Sequence, residues 1–306
     1  MPGENEMSQH WLSKPERGSK SLMRLMAWLA LGMGRAPTRL LLHPICFYFF
    51  ISSRATHKVL RKYFQRVLGR KTGLRDIYRH YHSFASTILD RIFFASGRYD
   101  LFNIEQHGTE IIRDRAEQHQ GCILLGSHLG SFEAMRSMGV IMGNLPIRVL
   151  MYEENAEKMR QITREICPEM ADTIISIGPP ESMLQVKEYL DEGGMVGILG
   201  DRVVSNDKAV KCKFLGHSAM FPVGPILLAA TLKVPVVLCF GLYLGANRYQ
   251  LHLELLGDRI QVSRENRASD LQYWVQRYAS RLEHYCRKAP YNWFNFYDYW
   301  LPQDSG

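Results

Sequence analysis

Seven consecutive residues, Ser127-His128-Leu129-Gly130-Ser131-Phe132-Glu133, place an imidazole and a carboxylate five positions apart. They follow an apolar run, Cys122 to Leu125, that reads as a strand, and strand ends are where α/β proteins carry reactive groups. On one uninterrupted helix, side chains at this spacing diverge by about 140° around the axis, so His128 and Glu133 meet only across a turn. Gly130 supplies a turn, and Ser131 is placed to cap a helix that carries Glu133 in its first turn. A carboxylate on one ring nitrogen fixes the tautomer and raises basicity, leaving the other nitrogen to take a proton. The pair His128 and Glu133 thus has the makings of an oriented base without its own nucleophile, the hydroxyl being a substrate's. His10, His43, His57, His107, His119 and His284 lack such a setting and read as structural or exposed.

The elements that must hold this segment follow from apolar periodicity. Gly121 to Gly126, Pro146 to Met151, Thr173 to Ile177, Met195 to Leu199 and Val234 to Phe240 are short apolar runs separated by helix-length stretches. That alternation predicts an α/β fold with a mainly parallel sheet flanked by helices. Gly178-Pro179-Pro180 opens a helix ending at Gly193-Gly194, Pro222 to Pro225 opens another, and the alternating Arg248 to Leu256 predicts an edge or antiparallel strand. From about residue 54 to 96, helical spacing broken at Gly69 and Gly73 predicts a helix pair. The chain thus divides into a basic, apolar helical section over 1–96 and an α/β domain over 97–306.

The motif GSHLGSFE resembles the H-x4-D/E signature of the bacterial lipid A late acyltransferase family, within the wider lysophospholipid acyltransferase superfamily. Three further segments stand in that family's order: Ile198-Leu199-Gly200-Asp201-Arg202, then Phe214-Leu215-Gly216 leading into Phe221-Pro222-Val223-Gly224-Pro225, then Pro290 with Trp293-Phe294. The resemblance implies a monotopic or singly anchored enzyme on the cytoplasmic face of the inner membrane. Such an enzyme moves a fatty acyl group from an acyl-carrier-protein or coenzyme A thioester to a lipid or glycolipid hydroxyl. His128 would take the hydroxyl proton and Glu133 would stabilise the imidazolium, with no metal, cofactor or covalent enzyme intermediate called for. Arg202 is the first candidate to meet the developing oxyanion or a donor phosphate, and Asp201 would orient it or bind the acceptor. Arg164 falls where members often carry a basic residue, although Glu153 to Arg164 also reads as a solvated helical face. Gly216 is assigned to the backbone of the substrate pocket, with simple loop geometry as the alternative.

Residues 290–300 hold seven aromatics, a density that suits an interfacial belt or an acyl-chain wall, although a helix packed back over the sheet would also bury it. Lipid A acyltransferases usually continue this segment with basic residues where the chain has Asp298. A carboxylate there disfavours a phosphorylated sugar acceptor, and the pattern is closer to relatives associated with polyene-lipid biosynthesis.

The net charge of +8 is local: residues 1–80 hold fifteen basic and four acidic side chains, a net +11, and the remainder is −3. Within that positive stretch Leu22 to Met33 and Leu40 to Ile51 are strongly apolar yet shorter than the roughly 20 residues of a helical span. Flanked by Arg35, Arg39, Arg54, Lys58, Arg61 and Lys62, they suit helices lying in an anionic leaflet, with buried core helices as the alternative. The same field would also suit an acidic carrier protein. The late apolar run, preceded by Glu4, Glu6 and Glu16, argues against a cleaved signal peptide. Six scattered cysteines without a C-x-x-C pair argue against a disulfide framework or zinc ribbon and fit a reducing compartment. Nucleotide-binding glycine motifs are missing, and interleaved apolar runs set the basic section apart from a nucleic-acid-binding face. Besides acyl transfer, a nonenzymatic peripheral lipid-binding protein and a metal-dependent hydrolase using His128 and Glu133 as ligands are the competing classes.

Overall fold

The structure, a computed structural model, describes residues 20–141, 145, 147–152, 156, 160, 164, 172–178, 180–204 and 207–300. The segment before residue 20, Pro146, Cys167 and most of the stretch from 153 to 171 lie outside these described residues. Four helices come first: α1 (Lys20–Met33), α2 (Arg35–Ser52), α3 (Arg54–Leu68) and α4 (Leu74–Ala95). The predicted helix pair over 54–96 is α3 and α4, with Gly69 in the left-handed region ending α3.

The remaining elements are β1 (Asn103–His107), α5 (Glu110–Glu117), β2 (Cys122–Gly126), α6 (Phe132–Ile141), β3 (Ile147–Tyr152), β4 (Ile174–Ile177), α7 (Pro180–Asp191) and β5 (Met195–Leu199). After them come β6 (Ala209–Phe214), β7 (His217–Pro222), α8 (Gly224–Leu232), β8 (Val236–Gly245), β9 (Arg248–Gly257) and α9 (Arg267–Lys288). The seven-stranded sheet runs β1-β9-β8-β2-β5-β3-β4, and β6 with β7 forms a separate antiparallel hairpin. Every pairing in the large sheet is parallel except β8 with β9. The mainly parallel α/β architecture is therefore present. The stretch from Arg248 is antiparallel to β8, as expected, but β1 covers its outer side and occupies the edge.

β2 is buried along its whole length between β5 and β8, which explains its unbroken apolar run. The largest core cluster joins Ile123 and Leu125 of β2 and Val196 and Ile198 of β5 to Leu60, Tyr63, Phe64 and Val67 of α3 and Ile77 and Tyr81 of α4. The division expected at residue 96 thus runs through elements that share one core. α1 and α2 pack differently, laying Ala30, Leu42 and Cys46 on Leu89, Ile92 and Phe93 of α4.

One buried ion pair fastens α2. Asp90, fully buried on α4, accepts from both Nε and Nη2 of Arg35 at 2.7 and 2.8 Å and from the Tyr249 hydroxyl at 2.8 Å. A bidentate pair of this kind fixes orientation, and removing one partner would strand a buried charge.

Candidate active site

Register builds the site. β2 and β5 lie side by side with Gly126 opposite Leu199, so the residues two beyond each strand, His128 and Asp201, arrive together. The Asp201 carboxylate is fully buried. Its Oδ1 is 2.8 Å from Nδ1 of His128, and the His128 backbone N–H donates to both carboxylate oxygens at 3.1 Å. Oδ2 also accepts from the Trp293 indole N–H at 2.9 Å and the Asn295 amide at 3.2 Å.

These donors decide the protonation states. Burial alone would raise the Asp201 pKa, but His128, the Arg202 charge and the Trp293 N–H outweigh it and hold the carboxyl at about 2. Burial also lowers the His128 pKa, Arg202 lowers it further, and the Asp201 carboxylate partly opposes both. Near neutral pH the pair is a carboxylate beside a neutral imidazole. Nδ1 then carries the ring proton toward Asp201, and Nε2 is the basic nitrogen.

The expected His128–Glu133 pairing is corrected here. Ser131 does cap α6, its hydroxyl accepting from Ala134 N–H at 3.1 Å, but Glu133 is ion-paired with Arg91 of α4 at 2.8 Å. The turn points the α6 carboxylate toward α4, while β5 brings Asp201 to the imidazole. Asp201, expected to orient Arg202 or bind an acceptor, is the carboxylate that holds the ring.

Gly130 makes the turn possible. It has φ +74°, its N–H donates to the Asn292 carbonyl at 2.8 Å, and a Cβ there would fall 1.8 Å from the Gly241 oxygen. The next residue, Ser131, donates its N–H to that same Gly241 carbonyl at 2.8 Å, so the loop is stitched to β8 on one side and to the C-terminal segment on the other.

That C-terminal segment is the site's wall. Phe294 N–H donates to the His128 carbonyl at 2.8 Å, and Tyr299 donates its hydroxyl to the Asp201 carbonyl at 2.7 Å. Trp293, Phe294, Tyr299 and Trp300 are buried, as are Asn292 and Asn295. These four aromatics are buried against the sheet side of the molecule, but in a segment without helix rather than the helix expected for such packing. Trp293 as a donor to Asp201 and Asn295 beside it, contacts that the sequence did not reveal, are anchored by this packing.

Arg202 is engaged within the same wall. Its Nε donates to Asn295 Oδ1 at 2.8 Å and its Nη2 to the Phe294 carbonyl at 3.0 Å. These bonds tie it to the tail that holds Asp201. Gly216 sits at the exposed tip of the β6–β7 hairpin with φ +82°, and nothing lies within 4 Å of a Cβ built there. Its place is explained by the tight turn, and it does not touch the His128 cluster. Arg164 is helical and exposed, apart from the contacts described for His128. Asp298 pairs with Lys62 of α3, so its charge is compensated by a cation of the same chain.

A comparison with curated proteins finds no match. The family model described as bacterial lipid A biosynthesis acyltransferase matches residues 7–301, nearly the whole chain. With that coverage, spanning the His128 loop, Asp201 and the tail that joins them, the chain belongs to the bacterial lipid A biosynthesis acyltransferase family and is an acyltransferase enzyme.

Proposed function

We propose that the protein transfers a fatty acyl group from a carrier-protein or coenzyme A thioester to a lipid or glycolipid hydroxyl, with His128 as general base. The single observation that carries this is the His128–Asp201 hydrogen bond of 2.8 Å, which commits Nδ1 and leaves Nε2 for the acceptor. Nε2 takes the hydroxyl proton as the oxygen attacks the thioester carbonyl. The C–O bond forms, the C–S bond breaks, and the proton returns from the imidazolium to the departing thiolate. Asp201 stabilises the imidazolium electrostatically and keeps its orientation. Glu133 is ion-paired with Arg91, whose positive charge adds to the effects that keep His128 unprotonated at rest. Incubating the protein with acyl thioesters and a panel of lipid hydroxyls, with mass-spectrometric detection of new esters, tests the assignment; it fails if no donor and acceptor pair gives product.

Asp298 is ion-paired to Lys62, so its carboxylate by itself does not exclude a phosphorylated acceptor. The acceptor class accordingly includes the family's lipid A as well as unphosphorylated lipids.

A pH dependence follows from the lowered His128 pKa. Protonation of Nε2 removes the base, so kcat/KM is expected to fall tenfold per unit on the acid side, with a midpoint below the ordinary histidine value of 6.5. Because the Asp201 carboxylate raises this pKa, Asp201→Asn is expected to move the residual acid limb lower still. A limb above 6.5 in the unmodified enzyme would contradict the assignment.

Membrane attachment by the first two helices is part of the proposal. None of the described helices is long and apolar enough to cross a membrane. α2 instead exposes Leu40, Phe47, Tyr48 and Ile51, each more than half accessible, while Thr38, Leu42 and Cys46 face inward. Positions 40, 44, 47, 48 and 51 follow helical spacing and form one apolar stripe, which Trp28 and Leu31 of α1 supplement. Deleting α2 would strand Asp90, so point changes are the cleaner probe. The pair Leu40→Asp and Phe47→Asp is expected to reduce partitioning onto anionic vesicles at least about tenfold while helical content is kept. Unchanged flotation with such vesicles would place attachment elsewhere.

A further inference from the structure

β8 outlasts its neighbour. Alternate residues of β8 serve the edge that faces β2: the Pro235 carbonyl, just before the strand, accepts from Ile123 N–H at 2.9 Å, and the Gly241 carbonyl accepts from Ser131 N–H at 2.8 Å, after β2 has ended at Gly126. Tyr243 is the next residue to face that edge. It is buried and lies beyond the end of β2, where a backbone N–H and C=O left without partners would be costly.

The Asn292 side chain takes both groups. Its Oδ1 accepts from Tyr243 N–H at 2.7 Å and its Nδ2 donates to the Tyr243 carbonyl at 3.0 Å, so one carboxamide pairs with β8 as a strand's peptide groups do. Asn292 is 4% exposed, and its backbone is engaged as well, the N–H with the Ala289 carbonyl at 3.0 Å and the C=O with Gly130 N–H at 2.8 Å.

Asn292 thereby closes a triangle around His128. The catalytic loop meets β8 through Ser131. It meets the tail through Gly130 on Asn292 and through Phe294 on the His128 carbonyl, with Leu129 and Trp293 opposed between them in an antiparallel bridge. The third side, from the tail to β8, is the Asn292 carboxamide. Trp293, the next residue of the tail, donates to Asp201, so the register of the tail on β8 bears on both members of the His128–Asp201 pair.

We propose that Asn292 is a positioning residue, whose carboxamide keeps the tail in register with β8 and so keeps Nδ1 of His128 on Asp201. The inference rests on His128 being the base of an acyl transfer. A slip of the tail along β8 moves the Phe294 N–H and the Trp293 indole together, and a misplacement of about 1 Å at a reacting centre costs about 10²-fold. A carboxamide suits this task because it donates and accepts side by side, whereas a carboxylate only accepts.

The test uses the full-length protein with one acyl thioester and one lipid hydroxyl, below the melting transition of every variant. Asn292→Ala is expected to lower kcat about 10²-fold with the donor KM within about threefold of the original, the mark of geometry felt in the transition state. Its acid limb is expected at lower pH, because Asp201, which raises the His128 pKa, then bonds the ring less well. Tyr285→Phe, which removes a 2.6 Å bond from a buried tyrosine to Glu254, is the control for lost stability and is expected to lower the melting temperature with kcat unchanged. Asn292→Asp decides the matter where the alanine variant does not fold. A neutral carboxyl donates and accepts as the amide does, and its ionised form cannot donate to the Tyr243 carbonyl. Burial raises the pH of that ionisation, and Arg39, bonded to the Tyr243 hydroxyl at 3.1 Å, opposes the rise. The kcat of Asn292→Asp relative to the unmodified enzyme is therefore expected to be highest at acid pH and to fall about tenfold or more as the carboxyl ionises. A folded Asn292→Ala enzyme with the original kcat overturns the proposal, as does a loss confined to KM or an Asn292→Asp ratio that is flat with pH. No transfer from any thioester by the unmodified enzyme would overturn the acyl-transfer reading and this proposal with it, an outcome distinct from a working enzyme indifferent to residue 292.

Discussion

Replacing His128 with alanine is expected to lower acyl transfer by about 10³-fold or more while the protein remains folded, because general-base catalysis alone contributes about 10²–10⁴-fold. The two backbone bonds at this position, His128 N–H to Asp201 and the His128 carbonyl from Phe294 N–H, do not depend on the ring. The ring's own bond to Asp201 is lost, at a cost of about 1–3 kcal/mol for an underpaired buried carboxylate. His128→Asn separates the two effects, since its side-chain amide can donate toward Asp201 yet provides no basic nitrogen. Both variants are expected to lose activity alike, with the asparagine variant closer to the unmodified protein in thermal melting. Transfer retained near the original rate in a folded His128→Asn protein would remove the imidazole from the mechanism.

The His128–Asp201 pairing explains how far the sequence could be read. Hydrophobic runs were a sufficient signal for β2, β3, β4, β5 and β8, because buried parallel strands need apolar side chains on both faces. β1 (Asn-Ile-Glu-Gln-His) escaped because an edge strand with one half-buried face has no such run. The β6–β7 hairpin was hidden by a Leu215-Gly216 turn without the usual Asn-Gly or Asp-Gly marking. His128 was legible by its place after a strand. Its partner was not, because spacing along the chain offers Glu133 at five residues and gives no hint of Asp201 at 73. The missing knowledge was strand order: once β2 and β5 are neighbours in register, two polar residues two steps beyond their ends must meet. Gly126-Ser127-His128 and Gly200-Asp201, each closing an apolar run, were the available signal. The aromatic tail was legible as dense but not as placed, since only the folded chain shows Trp293 and Asn295 donating to the same carboxylate oxygen.

Asp201→Asn carries the sharpest contrast with the spacing argument. Donors from His128, Trp293 and Asn295 converge on the two carboxylate oxygens, so an amide nitrogen placed at either oxygen position faces an N–H group. The substitution removes the charge that steadies the imidazolium and sets the Nδ1–H tautomer, a loss of up to about 10⁴-fold in the analogous hydrolase triad. It is expected to lower kcat by about 10²–10⁴-fold and to lower the melting temperature, since one of the converging donors is left without an acceptor. Glu133→Gln, which disturbs an ion pair with Arg91 on partly exposed side chains, is expected to cost less than either Asp201→Asn or His128→Ala. Steady-state kinetics on the three variants, each checked for folding by circular dichroism, ranks them. An Asp201→Asn enzyme that is folded and more active than Glu133→Gln would return the orienting role to the carboxylate five residues from the histidine.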